Sequence, residues 1–137
     1  MFDFGIIYKG YRSDMTRTMI IGQRTSSFMK TLYSTVKRAQ KIGIKKARPG
    51  TKISDCVKSV HGYMRQKGMG RYIAHSLGHG LGKKIHESPK LSEKNNRVFQ
   101  ENMVVTIEPG LYVKTKGGVR IEDAVLITKQ GARVLYL

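Results

Sequence analysis

Glycine and proline cut this chain into pieces of two kinds, and that punctuation constrains the fold more than any other feature. Turn signals stand at Lys9-Gly10-Tyr11, Arg48-Pro49-Gly50, Lys67-Gly68, Gly117-Gly118 and Gln130-Gly131. The outer pieces are short and rich in β-branched and aromatic residues, which pack well on a pleated surface. Phe2 to Tyr8, Met15 to Ile21, Met103 to Ile107, Leu111 to Lys114, Val119 to Thr128 and Val134 to Leu137 therefore read as strands. Two inner pieces have helical periodicity. The first starts on a serine N-cap at Ser26 or Ser27 and turns Phe28, Leu32, Val36 and Ala39 to one face. The second follows Thr51 or Ser54, carries Ile53, Val57, Val60 and Met64 inward, and stops at Lys67-Gly68. Gly68 to Gly82, glycine-rich and holding two histidines, reads as irregular or as a short strand near a site, and Ser88 to Asn102 as a polar loop. Strands, two helices, then strands predict a single α+β domain over residues 1–137, an antiparallel sheet with helices on one face.

Composition narrows the setting. No apolar run approaches the roughly 20 residues needed to cross a bilayer, and Met1 to Gly10 lacks the basic-then-apolar order of a signal peptide. The one cysteine, Cys56, has no internal partner for a disulfide and reads as a small buried hydrophobe, which suits a reducing cytoplasm. The formal net charge is +17. Lysines and arginines are spread along the chain rather than gathered in a tail, so a solvated basic surface is the plainer account and nucleic-acid binding the less favoured one.

The nine acids say more. Four of them, Asp3, Asp14, Glu108 and Glu122, stand in glycine-rich or β-branched settings where a solvated carboxylate is not needed. Asp3 and Asp14 flank one tight turn, and Glu108 and Glu122 flank another around Gly117-Gly118. Two hairpins would each bring two carboxylates together, with His79 arriving from the loop between them. Such a set of hard oxygens plus one imidazole suits manganese, cobalt, iron or zinc. Any one of these residues alone reads as an ordinary turn or loop residue; their joint pattern does not.

The stretches DFGIIYKGYRSDMTRT, HSLGHGLGKKIHE and IEPGLYVKTKGGVRIEDAVLI resemble, in order, the metal motifs of the creatinase and aminopeptidase P family, which includes Xaa-Pro aminopeptidases and prolidases. The resemblance runs from Asp3 to Leu137 and implies a partial pita-bread fold, the carboxy-terminal part of a longer catalytic domain. It implies two divalent ions, manganese first, held by Asp3, Asp14, His79, Glu108 and Glu122, with Asp14 and Glu122 bridging. It gives Glu108 the role of proton shuttle, His75 and His86 contacts to substrate and to the tetrahedral intermediate, Arg120 the orientation of carboxylates, and Tyr112 a place in the substrate pocket. The substrate it implies is a peptide or dipeptide with proline in second position.

The family's upstream strand, helices and an upstream histidine have no counterpart here, so the expectation is a metal-binding half whose exposed apolar surface favours association, including homo-oligomers. The competing reading is a non-catalytic module of the same fold that binds RNA or a protein partner. His61 reads as structural, and Tyr8 and Tyr11 as packing residues.

Overall fold

The computed structural model describes residues 1–22 and 25–136. The chain opens with a hairpin in which β1 (Phe2–Phe4) pairs with β4 (Met15–Arg17) and, beyond a gap, β2 (Ile7–Tyr8) pairs with β3 (Tyr11–Arg12). Lys9 and Gly10 both have positive φ at its tip, 48° and 81°, as a two-residue turn matched to strand twist requires. Two helices follow, α1 (Ser27–Lys46) and α2 (Ile53–Gln66). Ser26 caps α1 by accepting from the Met29 amide at 3.2 Å.

The remaining strands are β5 (Gly78–Gly80), β6 (Glu87–Leu91), β7 (Val104–Ile107), β8 (Gly110–Val113), β9 (Gly117–Arg120), β10 (Asp123–Thr128) and β11 (Gly131–Val134). Five of them form an antiparallel sheet in the order β11-β10-β7-β5-β6. β7 and β10 continue as β8 and β9 in unchanged register, so β7 to β10 make one long hairpin whose ladder opens at Glu108 and Glu122. Val105, Ile107, Val125 and Ile127 point to the helix side and join Leu32, Val36, Ile53, Val57, Val60 and Met64 in one core. Gly43 lets α1 lie close to the sheet, since a Cβ there would lie 2.8 Å from Ile107 Cγ2. Cys56 is buried in this core, which pushes its thiol pKa up to about 12. Among the described residues no helix is long and apolar enough to cross a membrane.

The architecture agrees with the α+β expectation, with helices on one face of an antiparallel sheet. Five details differ. The strand expected over Phe2 to Tyr8 is split at Gly5 and Ile6 into β1 and β2. The strand expected over Met15 to Ile21 ends at Arg17, because Thr18 leaves the ladder and its hydroxyl donates to the Arg120 carbonyl at 2.8 Å. The strand expected over Val119 to Thr128 is interrupted at Glu122, whose amide donates to the Thr16 carbonyl of the first hairpin at 3.1 Å. The polar loop Ser88 to Asn102 contains most of β6; its Pro89 is tolerated because β6 is the sheet edge, where a missing N–H costs no ladder bond. The closing strand is Gly131–Val134 rather than Val134 to Leu137, and Leu137 lies outside the described residues. Tyr8 and Tyr11 are not packing residues: both sit on the exposed hairpin tip, and Lys9 Nζ lies 5.5 Å from the Tyr8 ring centre. His61 is structural, tying α2 to Glu93 at 2.7 Å.

Candidate metal centre

On the sheet face away from the helices, the two hairpins meet. Strand alternation puts Thr106, Glu108, Gly110 and Tyr112 on one face, with Arg120 and Glu122 opposite them on the partner strand. In the first hairpin Asp3 stands across from Thr16, two residues from Asp14, so both aspartates share a face as well. The isolated bridge between Thr16 and Glu122 docks one hairpin onto the other. β5 then carries His79 into the space between them.

Asp14, His79 and Glu122 each offer a ligand atom within 4.8 Å of the others. His79 Nε2 lies 3.5 Å from Asp14 Oδ2 and 3.3 Å from Glu108 Oε1. Its Nδ1 donates to the Gly80 carbonyl at 3.0 Å, which fixes the tautomer and leaves the Nε2 lone pair for a cation. Asp3 sits farther out, its carboxylate held by Arg120. Arg120 also donates from Nε to Thr16 Oγ1 at 2.9 Å and lies 3.9 Å from Glu122 Oε2, so it orients carboxylates of both hairpins.

Burial and mutual repulsion leave this cluster short of positive charge. Glu122 is 2% exposed, and desolvation, reinforced by Glu108 and Asp14, pushes its pKa from 4.5 up to about 7. Desolvation also raises Asp14, with Asp3 and Glu108 adding to the effect. For His79 desolvation acts to lower the pKa, but Glu108, the Gly80 carbonyl and Asp14 together overcome it and the net shift is upward. Converging buried carboxylates plus an oriented imidazole are the donor set that one or two divalent cations would satisfy.

Beside the cluster lies a cavity of about 540 Å³, lined in part by His75, His86, Glu108 and Arg120. Tyr112 joins them through a chain of hydrogen bonds. Arg120 Nη1 donates to the Tyr112 oxygen at 3.3 Å, His75 Nε2 and the Tyr112 hydroxyl are 2.9 Å apart, and His75 Nδ1 donates to the Ser76 carbonyl at 2.7 Å. The His86 ring packs edge-on against His79 at 4.4 Å. All the candidate residues named from sequence are thus brought to one region, with Asp3 the most peripheral.

Two residues were missed. Thr16 donates to Glu122 Oε2 at 2.5 Å, and Thr106 Oγ1 accepts from the His79 amide at 3.0 Å while donating to Glu108 Oε1 at 3.2 Å. The signal was available: Thr16 is two residues from Asp14 and Thr106 two from Glu108, so alternation alone places each beside its carboxylate.

Comparison with known proteins agrees with this architecture. The solved prolidase from Pyrococcus furiosus has the same fold at a TM-score of 0.94 and 43% identity, covering 97% of this chain and 39% of that one. The X-Pro aminopeptidase structure from Thermotoga maritima gives 0.93 at 39% identity, with coverage of 97% and 38%. The fold is therefore part of the pita-bread architecture of prolidases. In sequence, the signature of metallopeptidase family M24 matches residues 1–129, and the chain belongs to that family. The Xaa-Pro dipeptidase of Pyrococcus horikoshii is 42% identical over 133 residues, which are 97% of this chain and 38% of that enzyme. The chain thus spans well under half the length of the relatives it matches.

Proposed function

We propose that this chain supplies the dinuclear metal site of a peptidase that cleaves the bond between an amino-terminal residue and proline. The observation that carries the reading is the convergence of Asp14, His79 and Glu122, with Glu108 at 3.3 Å from His79 and Asp3 held nearby by Arg120. Asp14 and Glu122, buried carboxylates contributed one by each hairpin, would bridge two divalent ions. Asp3 would complete one site; His79 and Glu108 would complete the other. Manganese is the ion we favour, with cobalt, zinc and iron chemically compatible. When bound, such a pair lowers the pKa of a water and polarises a carbonyl oxygen.

The protein groups have the remaining tasks. Glu108, at the cavity wall, accepts a proton from the attacking water and delivers it to the leaving proline nitrogen. His75 and His86 reach the same cavity and hydrogen-bond the developing oxyanion and the substrate backbone. Tyr112, locked between Arg120 and His75, shapes the proline pocket. Proline's amide has no N–H and a fixed φ, so the pocket selects a shape rather than a hydrogen bond. We further propose that residues 1–137 act as one metal-binding unit that, without the additional length of its relatives, binds metal better than it turns over substrate. Misplacement by about 1 Å already costs roughly 100-fold in rate.

Incubation with Mn²⁺, dialysis and elemental analysis test the site. Retained metal is expected in the parent chain, with greater loss in Asp14→Ala and Glu122→Ala than in Asp3→Ala. A parent chain that retains none rejects the site. Hydrolysis of a proline-containing tripeptide against its alanine counterpart, in the metal-loaded chain and in a longer version, tests the substrate. Preference for the alanine peptide rejects the Xaa-Pro assignment.

A further inference from the structure

The structure lines six of the chain's 26 lysines and arginines along the exposed face of one helix. No carboxylate occurs between Asp14 and Asp55, and α1 lies entirely within that interval. Its exposed residues are Lys30, Lys37, Arg38, Lys41, Lys45 and Lys46, together with Ser27, Thr31 and Ser34. Every exposed position of the helix is therefore basic or a small hydroxyl. None is apolar.

Two ordinary explanations cover only part of this face. Lys45 and Lys46 sit in the last turn, where cations favour the helix dipole. Lys30, Lys37, Arg38 and Lys41 do not. Solvated helix faces usually offset lysines with acids three or four residues away, whereas Lys37, Lys41 and Lys45 repel one another at that spacing. The ion pairs of the described residues use Arg17, Arg65, Arg120, His61 and His79, so no basic side chain of α1 has a carboxylate partner among them. Six of the chain's nine acids are engaged elsewhere: four in the metal cluster, Asp123 on Arg17 and Gln40, and Glu93 on His61 and Arg65 of α2; Asp55, Glu87 and Glu101 make no ion pair among the described residues.

We infer that the outer face of α1 is a docking surface for double-stranded nucleic acid, bound through its phosphates without reading sequence. A helix of 20 residues is about 30 Å long, enough to lie along a line of successive phosphates. No fully exposed residue of α1 is aromatic or apolar; Tyr33 and Ile44, at the edge of the face, are half-buried against the core, so the face offers no free ring for a single-stranded base and no side chain to insert into a lipid interface. Duplex phosphate is the polyanion that needs neither. α1 packs on the sheet face opposite the metal cluster, so a duplex there leaves the cavity of His75 and Glu108 open. The inference is independent of the peptidase reading.

Fluorescence anisotropy with a labelled 30-base-pair duplex tests it, using the full chain in buffer free of added metal. Binding in the micromolar range at near-physiological salt is expected, with an affinity that falls as salt rises by about 0.9 logarithmic units per phosphate contact. The Lys37→Gln/Lys41→Gln/Lys45→Gln variant should lose about tenfold or more in affinity and about one unit of salt slope per lysine removed. The control variant Lys58→Gln/Lys94→Gln/Lys114→Gln carries the same charge change on exposed positions elsewhere and should bind nearly as well as the parent. Circular dichroism confirms that both variants are folded. Equal losses in both variants would mean net charge alone and overturn the inference. So would tighter binding to phosphatidylserine vesicles than to duplex, or no duplex binding by the parent.

Discussion

The two hairpins that build the candidate metal centre have the same plan and opposite surroundings. Each keeps one register along its length, opens its ladder at a carboxylate (Asp14 in the first, Glu108 and Glu122 in the second), and offers two carboxylates to the same space. The closing hairpin, β7 to β10, has the core and both helices behind it. The opening hairpin has Phe2, Phe4, Ile6, Ile7, Tyr8 and Tyr11 all at least half exposed. It is fastened mainly through the Thr16 and Glu122 bridge, the Arg17 pair with Asp123 and the Arg120 pair with Asp3. Half of the site is set by packing, and the other half is held by polar ties.

The two hairpins should differ most in how much a side-chain truncation destabilises the fold. Ile107→Ala removes a fully buried side chain of β7 and should cost about 2–5 kcal/mol. Ile7→Ala, at 60% exposure, should stay within about 0.5 kcal/mol. Denaturant unfolding measures both. Similar losses at the two positions would mean that the opening hairpin is packed in solution in a way the structure does not contain.

Titration should have a smaller effect and distinguish the hairpins by charge. Folding raises the pKa of Glu122 to about 7, and also raises Asp14 and His79. The folded chain therefore holds these protons more tightly than the unfolded one. For Glu122 the resulting stabilisation is complete below its ordinary value of 4.5 and is lost as pH rises through about 7. Thermal melts of the metal-free chain should show Tm falling between pH 5.5 and pH 8. Added Mn²⁺ should reverse the fall by supplying the missing positive charge. A metal-free Tm that rises over this interval contradicts the assigned cluster.

Arg120 is the polar tie whose loss should be felt only locally. Arg120→Lys keeps the charge but loses the planar fork that reaches Asp3, Thr16 and Tyr112 together. Global stability should fall by less than about 1 kcal/mol, because the Asp3 side of the pair is more than half exposed. Amide exchange in Phe2–Phe4 should nevertheless accelerate, while exchange in Val104–Ile107 stays slow. Unchanged exchange in both segments would remove Arg120 as the tie between hairpins.

Sequence made some of this legible and hid the rest for physical reasons. The helices were readable because Leu32, Val36 and Ala39, and then Ile53, Val57, Val60 and Met64, recur at helical spacing and are all buried. The site residues were readable because carboxylates recur in pairs around two turns and their flanking motifs resemble those of one metallopeptidase family; no one of them is diagnostic alone. β6 was hidden because an edge strand containing Pro89 has the composition of a loop. The interruption at Glu122 was hidden because it is caused by Thr16, more than a hundred residues away, and no local pattern carries that contact. The exposure of the opening hairpin was hidden for a related reason. Its apolar residues look like core residues until the structure shows that nothing among the described residues covers them.

Gly43 links the two faces of the sheet. Alanine would favour the middle of α1 by about 1 kcal/mol, yet a methyl group there would press on Ile107, the residue immediately before Glu108. Adding that methyl would push strand and helix apart and move Glu108 relative to His79. The spacing of the chemical groups is thus gauged from behind, by the width of a side chain that is absent. A substitution on the far side of the molecule, touching no polar atom, would detune the site as surely as one of its own residues.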